Sequence, residues 1–188
     1  MRISKRNDDV IVRKDETMKF AGEVISTHPA LAKIRQGLRD MAFEDIKRAA
    51  NGRAKIGAFI LGACFIDYIA GYWFGADSEV KSTSSHKIFV AFTREFLKAY
   101  DPEKLYVAMR CKLVHNYSEG GAYKFAFDMP NRHLTKSENK IIINLEQFID
   151  DIETAPNRYL QLLDTDHDVQ LRAIKRWKHF GILRPSRS

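Results

Sequence analysis

Cysteine and proline are both scarce in this 188-residue chain, which holds only Cys64 and Cys111 and five prolines. The two cysteines lie far apart in apolar stretches, which excludes a disulfide framework and a zinc-finger spacing and fits a reducing cytoplasm. With ten glycines, 45% apolar residues and 29% charged residues, the composition also excludes collagen-like, low-complexity and disordered classes. The opening MRISKRNDD has no apolar run and no small-residue cleavage site, so no secretory signal is expected. Missing too are a phosphate-binding loop, a dinucleotide glycine fingerprint, a nucleophile elbow and a His-Glu-x-x-His helix. The six histidines show no metal-ligand spacing. The 164–168 run DTDHD resembles the start of a calcium loop, but Val169 stands where glycine is needed and Lys175 where glutamate is needed. It reads as a helix cap, and neither a metal nor a cofactor is expected.

What is present is positive charge. A net +7 attracts polyanions at modest salt, without regard to their sequence. The charge is uneven: 146–168 carries seven acids against Arg158, and 172–188 carries six bases and no acid. A nucleic-acid footprint and a basic helix lying beside an acidic one both remain open.

Apolar spacing predicts a mainly α, single-domain helical bundle of five or six helices with a small late β-hairpin, covering residues 27–183. Segment 1–26 shows no sustained period, and 184–188 forms a basic tail. Thr27-His28-Pro29 reads as a cap with proline in the first turn. The helix it opens closes at Asn51-Gly52, where glycine would take the left-handed conformation. Residues 56–74 carry one charge, Asp67, and are long enough to cross a bilayer. A carboxylate near the middle costs about 2.5 to 3.5 kcal/mol on insertion, so a buried central helix is expected and no membrane partner. Ser84 or Ser85 caps a third helix to about Tyr100, and Asp101-Pro102-Glu103 starts a fourth that runs to about Asn116. The alternation at Tyr123, Phe125 and Phe127 and the β-branched run 140–144 predict two strands paired as a hairpin near 122–145, with the aromatic face packed on a helix. Two further helices follow, one over 145–163 with a kink or break at Ala155-Pro156, and one from near Asp166 to Gly181.

The fourth helix carries the chemistry. Its stretch 105–114, LYVAMRCKLV, is apolar around most of its circumference yet contains Arg110, and a buried guanidinium needs a partner. Asp67, the lone acid of another apolar helix, can supply one as a packing pair. His115 follows five residues after Arg110, about 140° round and roughly 7.5 Å along an ideal α-helix, so the two do not share a face. Two such helices packed across a twofold axis would bring both pairs together.

Arg-x4-His at the end of a late helix, in the context LYVAMRCKLVHNYS, resembles the HEPN superfamily of ribonucleases and RNA- or nucleotide-binding domains, and the likeness spans about residues 27–117. The resemblance implies that Arg110 and His115 are catalytic, converge at a homodimer interface and cleave RNA without a metal. It further implies that Asp67 orients Arg110, that Lys112 contacts phosphate, and that Asn116 or Tyr117 orients the ring or stacks on a base. Imidazole and guanidinium suit the reaction, one moving a proton and the other stabilising phosphorane charge. A cytoplasmic toxin or defence component, held by an antitoxin protein, fits that family. Cys111 follows the arginine where cleaving members commonly carry a polar residue, so binding of RNA or nucleotide without turnover stays open. So does a non-catalytic helical scaffold that uses Arg110 for packing.

Overall fold

The computed structural model describes residues 28–75 and 84–180. Segment 1–26, Thr27, the middle of the loop after Gly75, the end expected at Gly181 and the tail 184–188 lie outside them. The described residues are mainly helical, with a small sheet late in the chain.

The first helical run joins α1 (Pro29–Gln36), a π-helical segment π1 (Gly37–Phe43) and α2 (Glu44–Asn51). His28 caps it, its Nδ1 accepting from the Ala30 N–H at 3.1 Å, and Pro29 fills the first turn. The buried residues Ile34, Leu38, Phe43 and Ile46 explain π1. The step from Leu38 to Phe43 is five residues, and i→i+5 turns absorb the extra residue so that both side chains stay in the core. The run ends at Gly52, but with extended backbone (φ −87°, ψ −162°), not the expected left-handed turn. The Gly52 N–H reaches the Arg48 carbonyl without it.

The central element is α3 (Lys55–Phe74), the one described helix long and apolar enough to cross a membrane. Here it is packed by α2, by α4 (Ser85–Phe96), by α6 (Leu145–Thr165), by α7 (His167–Phe180) and by the π segment that carries Arg110, with Leu61 left exposed. Gly62 lets α6 close in: a Cβ there would lie 2.6 Å from Phe148 Cε1. Gly75 ends α3 in the left-handed region at φ 74°, donating to the Gly71 carbonyl.

Ser84 caps α4, its Oγ accepting from the Lys87 N–H at 3.4 Å. The helix stops at Phe96, short of the expected Tyr100, because a turn from the Tyr100 N–H to the Leu97 carbonyl takes over. Asp101 and Pro102 then open α5 (Pro102–Tyr106), the Asp101 Oδ1 accepting from the Lys104 N–H at 3.1 Å. A second π-helical segment, π2 (Val107–Val114), continues it, and a last turn reaches Asn116.

The sheet differs from the expected hairpin. β1 (Tyr123–Ala126) pairs in parallel with β3 (Lys140–Asn144), Tyr123 opposite Ile141, and the antiparallel partner of β3 is the short β2 (Lys136–Ser137). Residues 127–139 are long enough for the crossover that parallel pairing requires, and the chain turns back through a 3₁₀ turn at Pro130–Arg132. The aromatic face packs on α3, with Phe59 4.8 Å from Phe125 and 6.1 Å from Phe127 between ring centroids. His133 pins this region to α6: its Nδ1 accepts from the Asn144 N–H at 3.1 Å, and its Nε2 lies 3.1 Å from Asp151 Oδ2. The Tyr100 hydroxyl donates to the same carboxylate oxygen at 2.6 Å.

Of the kink or break expected at Ala155-Pro156, the break does not occur: α6 runs on through Pro156. Ala155, Pro156, Tyr159 and Leu160 are all buried there, so tertiary packing holds the backbone that the missing N–H would loosen. Asp166 caps α7 by accepting from the Val169 N–H at 3.1 Å, which accounts for the acidic run 164–168. Two acids of the 146–168 block pair with the first helical run instead of the basic helix: Asp164 with Arg35 at 2.5 Å and Glu153 with Lys47 at 3.0 Å.

Candidate functional site

α3 contributes Asp67 and π2 contributes Arg110, and the Arg110 Nη2 lies 2.9 Å from the Asp67 Oδ2. Their side chains are 19% and 23% exposed, so the pair is neither sealed in the core nor loose in solvent. The Arg110 Nε is buried and makes no hydrogen bond among the described residues. One face of the guanidinium is therefore held while the rest of its donor set is only partly engaged.

π2 changes the relation of Arg110 to His115. The His115 N–H donates to the Arg110 carbonyl, closing a turn over five residues, and it also reaches the Lys112 carbonyl. Five residues then make one hydrogen-bonded turn. The wide α-helical separation expected from the sequence is replaced by positions about one turn apart. The His115 side chain is exposed.

Burial pushes the Asp67 carboxyl above the usual carboxylate range, against the pull of Arg110, then Arg176, then His115. Arg110 is the ion-pair partner of this acid, and Arg176 acts on it electrostatically from another helix. Arg176 comes from α7, and the sequence reasoning missed it because it sits in a basic run where one more cation draws no notice. The available signal is its spacing: Arg176 follows the buried Val169 and Ala173 by seven and three residues, placing a cation on the apolar side of α7. Tyr68 and Tyr72 complete the surroundings with ring centroids 5.1 Å apart, and burial raises both phenols. Cys64, one turn before Asp67, has its thiol raised by burial, with Arg110 pulling it down and Asp67 pushing it up.

The remaining expected residues divide. Asn116, expected to orient the imidazole, donates from Nδ2 to the Cys111 carbonyl at 2.8 Å and so ties down the end of its own helix. Tyr117 leaves that helix in the left-handed region at φ 48° with 70% of its surface exposed, open for stacking. Lys112 is exposed, its stem lying against Gly120. Two clefts of about 260 and 250 Å³ flank Lys47, and neither is lined by Asp67, Arg110 or His115. Among the described residues no group of three or more His, Cys, Asp or Glu is placed to hold a metal ion.

A scan against protein-family models, a search of curated proteins and a search of solved structures each found no match to this chain. The functional reading therefore rests on the arrangement around Arg110.

Proposed function

We propose that this protein binds RNA through the Arg110–His115 site and cleaves it without a metal, in the manner implied by its resemblance to HEPN ribonucleases. The observation that carries the reading is the five-residue turn of π2, which sets an exposed imidazole one turn from a guanidinium that Asp67 holds at 2.9 Å. In the reaction the RNA 2′-hydroxyl attacks the adjacent phosphorus. The 2′-oxygen to phosphorus bond forms, the bond to the 5′-oxygen breaks, and the products are a 2′,3′-cyclic phosphate and a free 5′-hydroxyl. One imidazole takes the proton from the attacking hydroxyl and another protonates the leaving oxygen, while Arg110 stabilises the charge on phosphorus.

Two imidazoles call for two copies of the chain. Leu61 and Val107, 40% and 39% exposed on α3 and π2, leave apolar surface on the two elements that carry Asp67 and Arg110, which a homodimer would cover. Lys112 would contact phosphate and Tyr117 would stack on a base. A cytoplasmic toxin or defence nuclease restrained by an antitoxin protein suits such an activity.

The limited exposure of the Asp67–Arg110 pair favours a second reading, a helical scaffold in which the pair only fixes packing. Incubating RNA with the protein in EDTA separates them. The nuclease cuts as wild type and is silent as His115→Ala with its fold intact. A scaffold cuts in neither form, and Arg110→Ala then affects stability alone.

A further inference from the structure

Gly71 stands four residues after Asp67 on α3, one turn along the same side of the helix. A Cβ at Gly71 would lie 2.8 Å from the Arg176 Nη2, 3.0 Å from its Cζ and 3.1 Å from its Nε. The space left by the missing side chain is thus the space that the guanidinium occupies. Glycine is a poor helix former, and Gly71 lies buried in the interior of α3, so the notch is paired with what fills it.

We propose that Arg176 is a positioning residue of the Arg110–His115 site: seated in the Gly71 notch, it braces the Asp67 carboxylate from α7 while Arg110 holds it from π2, which fixes Arg110 in one orientation toward an RNA phosphate. The phosphate half of this inference rests on the RNA reading above, whereas the bracing does not. Arg110 pairs with the Asp67 carboxylate at 2.9 Å, and the Arg176 guanidinium lies against Gly71 one turn further along α3, so two fixed positive charges stand near one acid. The electrostatics agree with the geometry. Burial lowers Arg176, opposed first by Tyr72 and then by Asp67, and burial raises Asp67, opposed first by Arg110 and then by Arg176. The titratable and charged groups around Asp67 are Arg110 and His115 from π2, Arg176 from α7, and Cys64, Tyr68 and Tyr72 on its own helix.

The test uses the full chain and four variants. In Gly71→Ala the new methyl collides only with the far end of a flexible side chain, and alanine is the better helix former, so the fold holds while the guanidinium is displaced. Arg176→Gln removes the charge, Arg176→Lys restores part of it, and Lys98→Gln is a remote control. The Asp67 carboxyl is titrated by carbon-detected NMR, and cleavage of a labelled single-stranded oligoribonucleotide is followed from pH 5 to 8 in EDTA. The Asp67 midpoint is expected to rise by roughly one pH unit in Gly71→Ala and Arg176→Gln, less in Arg176→Lys, and not in Lys98→Gln. The acid limb of cleavage moves up with it, and kcat falls several-fold with a smaller change in KM. An Asp67 midpoint that stays put in folded Gly71→Ala and Arg176→Gln overturns the bracing. RNA left untouched by wild type overturns the functional reading and Arg176's role toward phosphate with it, and a moved Asp67 midpoint then assigns the failure to that reading and not to the bracing.

Discussion

Breaking the Asp67–Arg110 pair should cost different amounts depending on which partner is removed. At 2.9 Å and an effective dielectric of about 20, the gross attraction is about 6 kcal/mol. Desolvation, several kcal/mol per ion, cancels most of it, and in Asp67 burial outweighs the attraction, because its carboxyl is raised despite the Arg110 pair. A guanidinium keeps its charge near neutral pH. Asp67→Leu therefore strands a guanidinium that is four-fifths covered and should cost about 3 kcal/mol, the low end for a broken buried pair. Arg110→Met leaves a carboxyl that can take up a proton and still has Arg176 and His115 beside it, so about 1 to 2 kcal/mol is expected at pH 7. The double variant should be close to neutral, so the two single costs together give a coupling energy of about 4 to 5 kcal/mol in magnitude. The sign of the pH dependence follows from the raised carboxyl. Its contribution to stability is complete below the unfolded value and is lost as pH rises through the folded one, so the cost of Arg110→Met shrinks as the solution is acidified toward the point where Asp67 is protonated in both proteins. Urea unfolding of all four proteins at pH 7 and pH 5 measures this. A coupling energy below about 0.5 kcal/mol, typical of a solvent-exposed pair, or equal costs for the two single variants, refutes the reasoning.

Two further perturbations test the packing and the caps. Gly62→Ala drives a methyl into Phe148 and Ile152 of α6 and should destabilise by about 1 to 3 kcal/mol. Gly57→Ala meets only Ala54 at 3.6 Å and should stabilise by up to about 1 kcal/mol, so opposite shifts in thermal melts are expected from the same substitution on one helix. Asp101→Ala removes the α5 cap at a cost of about 1 kcal/mol. The backbone and side chain of Lys104 hold the Asp101 carboxyl below its ordinary value. The advantage of wild type over that variant is therefore present at pH 7 and disappears as pH falls through the depressed value, which urea titrations at pH 7 and pH 3 will show.

The helix starts at Ser84, Asp101 and Asp166 were legible because a cap is local chemistry, written within three or four residues. Arg110 was legible as the one cation in an apolar face, and Asp67 as the one acid in another, so their meeting was foreseeable from the cost of leaving either alone. The two π segments were not legible. Each is an extra residue that the core forces into a helical turn, as between Leu38 and Phe43, and nothing local distinguishes it from a phase error in the apolar pattern. The parallel pairing of β1 with β3 depends on how residues 127–139 fold back and not on either strand's own alternation. Arg176 was hidden for a related reason: the clue to its place is a glycine about a hundred positions earlier in the chain.

The composition of α3 also bears on how the protein is made. This apolar helix leaves the ribosome long before α6 and α7, the elements that later cover Gly62 and Gly71. Until they arrive, the nascent chain displays a membrane-length segment to any insertion machinery that samples it, and Asp67 is the carboxylate within that segment that marks it as a core helix in waiting. The acid that holds Arg110 is thus also the one charge that interrupts the apolar run of this helix.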